Sequence, residues 1–142
     1  MSRELDLAQH EAAHVVVGVA LGLRLSKAVL GGGAGVVRGV NTLGYSLFTV
    51  PHRKGTAWAI TLAAGIAFER RAGEEETARG DYKLLRQEGH SAHAITALVV
   101  AADAILETRG LAHARVTRAL LQRDLTGADI EAIAKGERVD TD

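Results

Sequence analysis

The chain has 142 residues, a formal net charge of zero, 47% hydrophobic residues and no cysteine. That length suits one domain with a buried core, and the charge balance speaks against a nucleic-acid polyanion or an acidic membrane surface as partner. Without cysteine, disulfides and thiolate ligands are excluded, so any metal site must be built from His and carboxylate.

The first residues, Met-Ser-Arg-Glu-Leu-Asp, place acids where a secretory signal carries positive charge, and the longest apolar stretch, residues 15–23, is too short to cross a bilayer. A cytoplasmic protein with no membrane partner is the expectation. A first helix is predicted over residues 3–21, with Ser2 as its cap and Gly22 at its stop. Within it, "LAQHEAAHVVVGVALGL" sets His10, Glu11 and His14 among Ala, Val and Leu. Three polar side chains in that setting cost free energy unless something satisfies them.

From residue 27 to 50 the texture becomes rich in Gly, Val and Thr and ends at Pro51, the single proline. This reads as two or three short strands, with a turn at Thr42-Leu43-Gly44 and the best strand over residues 44–50. "GGGAG" at residues 31–35 lacks the following Lys-Ser/Thr pair of a phosphate loop and reads as a turn. Helical periodicity returns over residues 54–71, where Trp58 is expected to anchor the core, and the acidic "AGEEETARG" follows as a solvated loop. A long helix is predicted from Gly80 or Asp81 to residue 109, bent at Gly89, then another over residues 111–123. A last short helix begins after Thr126, whose hydroxyl with Asp129 makes a capping-box-like start, and residues 136–142 read as a frayed tail. The expected architecture is one α+β domain over residues 1–142, mostly α, with a small β-sheet after the first helix.

On a helix, His10 and His14 lie one turn apart on one face, where two imidazoles can hold a single tetrahedral ion. Glu11 projects close enough to reach a water on that ion without ligating it, take its proton and pass it to a leaving amine. That spacing is what metal-assisted peptide hydrolysis requires. A third ligand must come from downstream: Asp81, opening a predicted helix after "TARG", or Glu69, on the preceding helix. His90 and His93 read as a solvated helix face, and His52 and His113 as surface residues without partners at ligand spacing.

"HEAAHVVVG" resembles the "HEAGHA" opening of the peptidase domain of FtsH-type ATP-dependent zinc proteases, and the likeness continues in order along the chain. "NTLGYSLFTVP" is similar to that family's substrate strand, "ITLAAGIAFERRAG" to its "LGGRAAEE" helix, "ARGDYKLLRQ" to its "GASNDLxxAT" segment, and "ALLQRDLTGADIEAI" to its "LLEKETLxGEEI" close. The resemblance spans nearly all of residues 7–134. It implies a zincin-like fold, Zn2+ as cofactor, His10, His14 and Asp81 as ligands, and Glu11 as catalytic base. Ala13 replaces the family's Gly, the stretch after Asp81 is shorter, and no Walker-type loop or ATPase domain accompanies it. The function expected is therefore a zinc-dependent endopeptidase acting on extended or unfolded polypeptides, with substrate added as a strand along Gly44, Tyr45, Ser46, Leu47 and Phe48. A separate unfoldase or regulatory protein and a second copy of the chain are the partners such a domain implies. The alternative reading is a non-catalytic, zinc-stabilised protein-binding or regulatory module, or an interaction subunit assembling through its C-terminal helices. An intact Glu11 argues against a purely structural ion, since structural zinc sites carry four protein ligands.

Overall fold

The computed structural model of the chain describes residues 3–23, 25–30, 36–37, 40–41, 44–48, 55–72, 79–123 and 125–134. Ser2, Thr42, Leu43, Pro51, His52, the "GGGAG" stretch, residues 73–78 of the acidic loop and the 136–142 tail lie outside them. The order of elements is α1 (Arg3–Ala20), β1 (Leu25–Leu30), β2 (Val36–Val37), β3 (Val40–Asn41), β4 (Gly44–Phe48), α2 (Gly55–Ala72), α3 (Arg79–Gln87), α4 (Ala92–Thr108), α5 (Gly110–Gln122), β5 (Leu125–Thr126) and α6 (Gly127–Ala134). The described chain is mostly helical with little sheet, as the sequence pattern leads one to expect.

Helix α1 is the centre of the molecule. It packs against α2, α4, α5, α6, β1 and β4, and residues 10–18 are all buried. A helix enclosed on every side reads as apolar all round, which is why Val15, Val16 and Val17 follow one another there despite the modest helix propensity of valine. Gly22, at φ +87°, closes the helix as expected: its N–H bonds to Val19 O at 3.0 Å and the Leu23 N–H to Gly18 O at 2.9 Å. These paired bonds satisfy two of the last carbonyls, and the left-handed turn between them favours glycine.

β1 is the middle strand of a three-stranded sheet in the order β4-β1-β5, antiparallel on both sides. Leu30 stands opposite Gly44 and Leu25 opposite Phe48, with an irregularity between Leu25 and Lys27. β2 and β3 form a separate two-stranded ribbon. The strand expected over residues 44–50 is described as β4 (Gly44–Phe48), an edge strand among the described residues that packs against α1.

α2 buries Ala59, Leu62, Ala63, Ala64, Ile66 and Ala67 between α1 and α4. Trp58 is buried as a core anchor, and its indole N–H donates to Glu88 Oε2 at 3.4 Å. The single long helix expected after Gly80 is instead two. Gly89, at φ +98°, ends α3 with the same bond pair that closes α1, Gly89 N–H to Arg86 O and His90 N–H to Leu85 O. Ser91 then caps α4 by accepting from the Ala94 N–H at 3.0 Å. A Gly followed two residues later by Ser is thus a stop and a start, not a bend. α4 turns Ile95, Val99, Ala102 and Leu106 inward at helical spacing. Among the described residues no helix is long and apolar enough to cross a membrane.

Candidate metal centre

Two helices, α2 and α3, converge beside α1. His10 and His14 face the same side of it, their rings edge-to-face with centroids 4.9 Å apart. Asp81, in the first turn of α3, brings its carboxylate to both of them. His10 Nε2 and Asp81 Oδ2 are 3.0 Å apart, His14 Nε2 and Asp81 Oδ2 3.1 Å, and the two Nε2 atoms 3.3 Å. Both histidines are buried, and the Asp81 side chain is 19% exposed. Of the two acids weighed as third member of the cluster, Asp81 joins it and Glu69 does not.

Glu69 has a different place. His10 Nδ1 donates to Glu69 Oε2 at 2.8 Å, and His14 Nδ1 donates to the Thr61 main-chain carbonyl at 2.8 Å. A carboxylate and a carbonyl only accept, so each ring in its neutral form carries its proton on Nδ1 and turns a lone pair outward from Nε2. The cluster therefore presents three electron-pair donors, two imidazole nitrogens and one carboxylate oxygen, with no hydrogen of their own to place between them.

Such a set can hold a cation. At zinc–ligand distances of about 2.0–2.1 Å, the ligand atoms of a tetrahedron lie about 3.3–3.4 Å apart. The observed triangle is within a few tenths of an ångström of that spacing, so His10, His14 and Asp81 fit three positions of a tetrahedral divalent ion. The proton is the other candidate cation. Burial alone would lower the pKa of His10, but the bonds to Asp81 and Glu69 outweigh it and raise it from 6.5 to about 10. His14 is also raised, against its burial, chiefly by the Asp81 charge. Burial would raise Asp81, but the two imidazoles beside it hold its carboxyl well below the usual carboxylate range. Each shift states the same fact: the pocket is built for net positive charge at its middle.

Glu11 is buried at 8% exposure one position after His10, and its charge contributes to raising both imidazoles. It is thus within electrostatic reach of the cluster. The other histidines separate. His93 is exposed and His90 half-buried, both away from the cluster. His113, expected on the surface without a partner, is half-buried instead: its Nε2 donates to Gln9 O at 2.8 Å, and its ring lies 5.3 Å from that of Phe68. The chain matches no protein-family model and no curated protein.

The sequence shows no sign of the Thr61 carbonyl, since main-chain acceptors leave no trace in residue identity. Glu69 did leave one: a lone acid on the otherwise apolar face "ITLAAGIAFE", 2% exposed, has to be paired.

Proposed function

We propose that the chain is a zinc-dependent endopeptidase of zincin type that acts on extended or unfolded polypeptides in the cytoplasm. The observation that carries this reading is the convergence of His10 Nε2, His14 Nε2 and Asp81 Oδ2 within 3.0–3.3 Å of one another, with both Nδ1 atoms already engaged. Three protein ligands and an open fourth position are the pattern of a catalytic zinc site; structural sites close with four. The order of motifs shared with FtsH-type peptidase domains supports the same reading.

A zinc ion bound there would supply an acidified water and a polarised substrate carbonyl. His10, His14 and Asp81 would hold it, while Glu69 and the Thr61 carbonyl fix the imidazole tautomers. Glu11 takes the proton from the attacking water as the new C–O bond forms. It returns that proton to the nitrogen as the C–N bond breaks, so the amine leaves neutral. β4 bonds on one side to β1, and its other edge is free to take a further strand among the described strands. A polypeptide added there, along Gly44, Tyr45, Ser46, Leu47 and Phe48, would be held by main-chain hydrogen bonds beside the helix that carries His10 and Glu11.

The test is cleavage of unfolded casein by the zinc-loaded protein, with Glu11→Gln abolishing cleavage at unchanged zinc content. Full zinc occupancy without cleavage of any flexible substrate would instead establish a non-catalytic, zinc-stabilised module.

A further inference from the structure

The wall of the site opposite α1 is a glycine. Gly65 lies in the middle of α2, where a methyl group on its Cα would overlap Asp81 Oδ2 outright and come within 2.7 Å of His10 Cε1 and 2.8 Å of His10 Nε2. Real side-chain carbons do not approach heavy atoms so closely. Nothing in the helix itself asks for glycine here: Gly65 has no left-handed backbone, and alanine is the better helix former. All its immediate neighbours on the buried face are larger, Ala63, Ala64, Ile66 and Ala67. The missing side chain is thus a hole in the surface of α2, filled by the ring edge of His10 and the carboxylate of Asp81.

We infer that Gly65 is a positioning residue of the metal centre, and that its lack of a side chain is what allows Asp81 to reach both imidazoles at once. This rests on the metal reading above. Two geometric relations carry it. Asp81 approaches from α3, and it must lie against α2 to meet His10 Nε2 at 3.0 Å and His14 Nε2 at 3.1 Å together. Moreover, a helical Cβ tilts toward the preceding turn, so a side chain at position 65 would lean toward the turn of Thr61, whose carbonyl accepts from His14 Nδ1. Substitution at this position would therefore separate the three electron-pair donors while leaving their identities intact.

The experiment compares zinc affinity, by competition with a chromophoric chelator, and the visible spectrum of the cobalt(II) form in wild type, Gly65→Ala and Gly80→Ala. Gly80 adjoins Asp81 in sequence, but a Cβ there meets nothing within 4 Å. Gly65→Ala is expected to bind zinc about 10- to 100-fold more weakly, the range seen when the support of a ligand is lost, and to lose the intense bands of tetrahedral cobalt. Gly80→Ala is expected to match wild type in both. Metal-free melting of Gly65→Ala in the wild-type and Asp81→Ala backgrounds reads the clash directly, because truncating Asp81 removes its main partner. The destabilisation should shrink in the Asp81→Ala background. Zinc affinity of Gly65→Ala within about threefold of a tightly binding wild type overturns the inference and leaves the metal reading standing. Equal destabilisation in both backgrounds also overturns it, whereas a wild type without zinc affinity removes the metal reading itself.

Discussion

His10 Nδ1 donates to Glu69 Oε2 at 2.8 Å, and that bond turns an acid four residues beyond Gly65 into the orienting partner of an imidazole on another helix. With the bond from His14 Nδ1 to the Thr61 carbonyl, it ties α1 to α2 so that both Nε2 atoms face Asp81. The same ring could not offer Nε2 as an electron-pair donor if the proton sat on the other nitrogen.

Removing that partner has a defined consequence. Glu69→Ala leaves the buried Nδ1–H of His10 without its acceptor, at a cost of about 1–3 kcal/mol to the metal-free fold. Zinc should still bind at stoichiometric concentration, since all three electron-pair donors remain, but with affinity lower by about 10- to 100-fold. Calorimetric titration and thermal melting of the metal-free protein read the two effects separately. An unchanged zinc affinity would show that the bond does not orient the ring.

Asp81→Ala should act more severely on the same measurements. It deletes one of three electron-pair donors and leaves two facing imidazoles, 3.3 Å apart, without the carboxylate that lies against both Nε2 atoms. A ligand that binds only the folded state at a hundred times its dissociation constant stabilises it by about 2.7 kcal/mol. That zinc-induced rise in melting temperature, present in wild type, should vanish in Asp81→Ala and persist, reduced, in Glu69→Ala. If instead Glu69→Ala abolished it and Asp81→Ala kept it, the two acids would have to exchange roles.

Much of this was legible from residue order, and the remainder fails for physical reasons. His10, Glu11 and His14 stand out because polar groups in an Ala/Val helix need partners, and α1 does bury all three. Asp81 was reachable as a carboxylate opening a helix. The break at Gly89 is masked in the sequence because α3 and α4 share an unbroken helical pattern, and only the Ser91 cap two residues on marks the restart. β5 is silent in the sequence because two residues carry no periodicity; its pairing with Lys27 and Ala28 exists only through tertiary packing. The half-buried position of His113 is hidden for the same reason: its acceptor, Gln9 O, is distant in sequence and belongs to the main chain.

The start of α6 offers a control outside the metal centre. The Thr126 hydroxyl accepts from the Asp129 N–H at 3.2 Å while the Asp129 carboxylate accepts from the Thr126 N–H at 3.1 Å and from Arg123 at 3.1 Å. The main-chain bond from Thr126 is the foremost reason that the Asp129 carboxyl is held below its ordinary pKa. Thr126→Ala should cost about 1 kcal/mol of stability, as the loss of such a cap does, with zinc affinity unchanged. Chemical denaturation with and without zinc tests both halves; a change in affinity would mean that α6 is coupled to the site through β5 and β1.

Acid and base should act on the metal-free and zinc-bound proteins in opposite senses. In the metal-free fold His10 is raised from 6.5 to about 10, so its contribution to stability is complete below pH 6.5 and is lost as pH climbs through about 10. Asp81 is lowered from 3.8, so its contribution is present above that value and lost as pH falls further. Metal-free melting should therefore hold a plateau between about pH 4 and 6.5 and decline toward alkaline pH. Zinc reverses the trend, because it must displace the proton that the His10–Asp81 pair shares. Its affinity should rise by about tenfold per pH unit between pH 6.5 and 8.5 for each proton released. Titration in buffers of different ionisation enthalpy counts that proton directly. A zinc affinity flat across this range would mean that the metal-free cluster holds no proton, and that something other than a cation keeps three electron-pair donors within 3.3 Å.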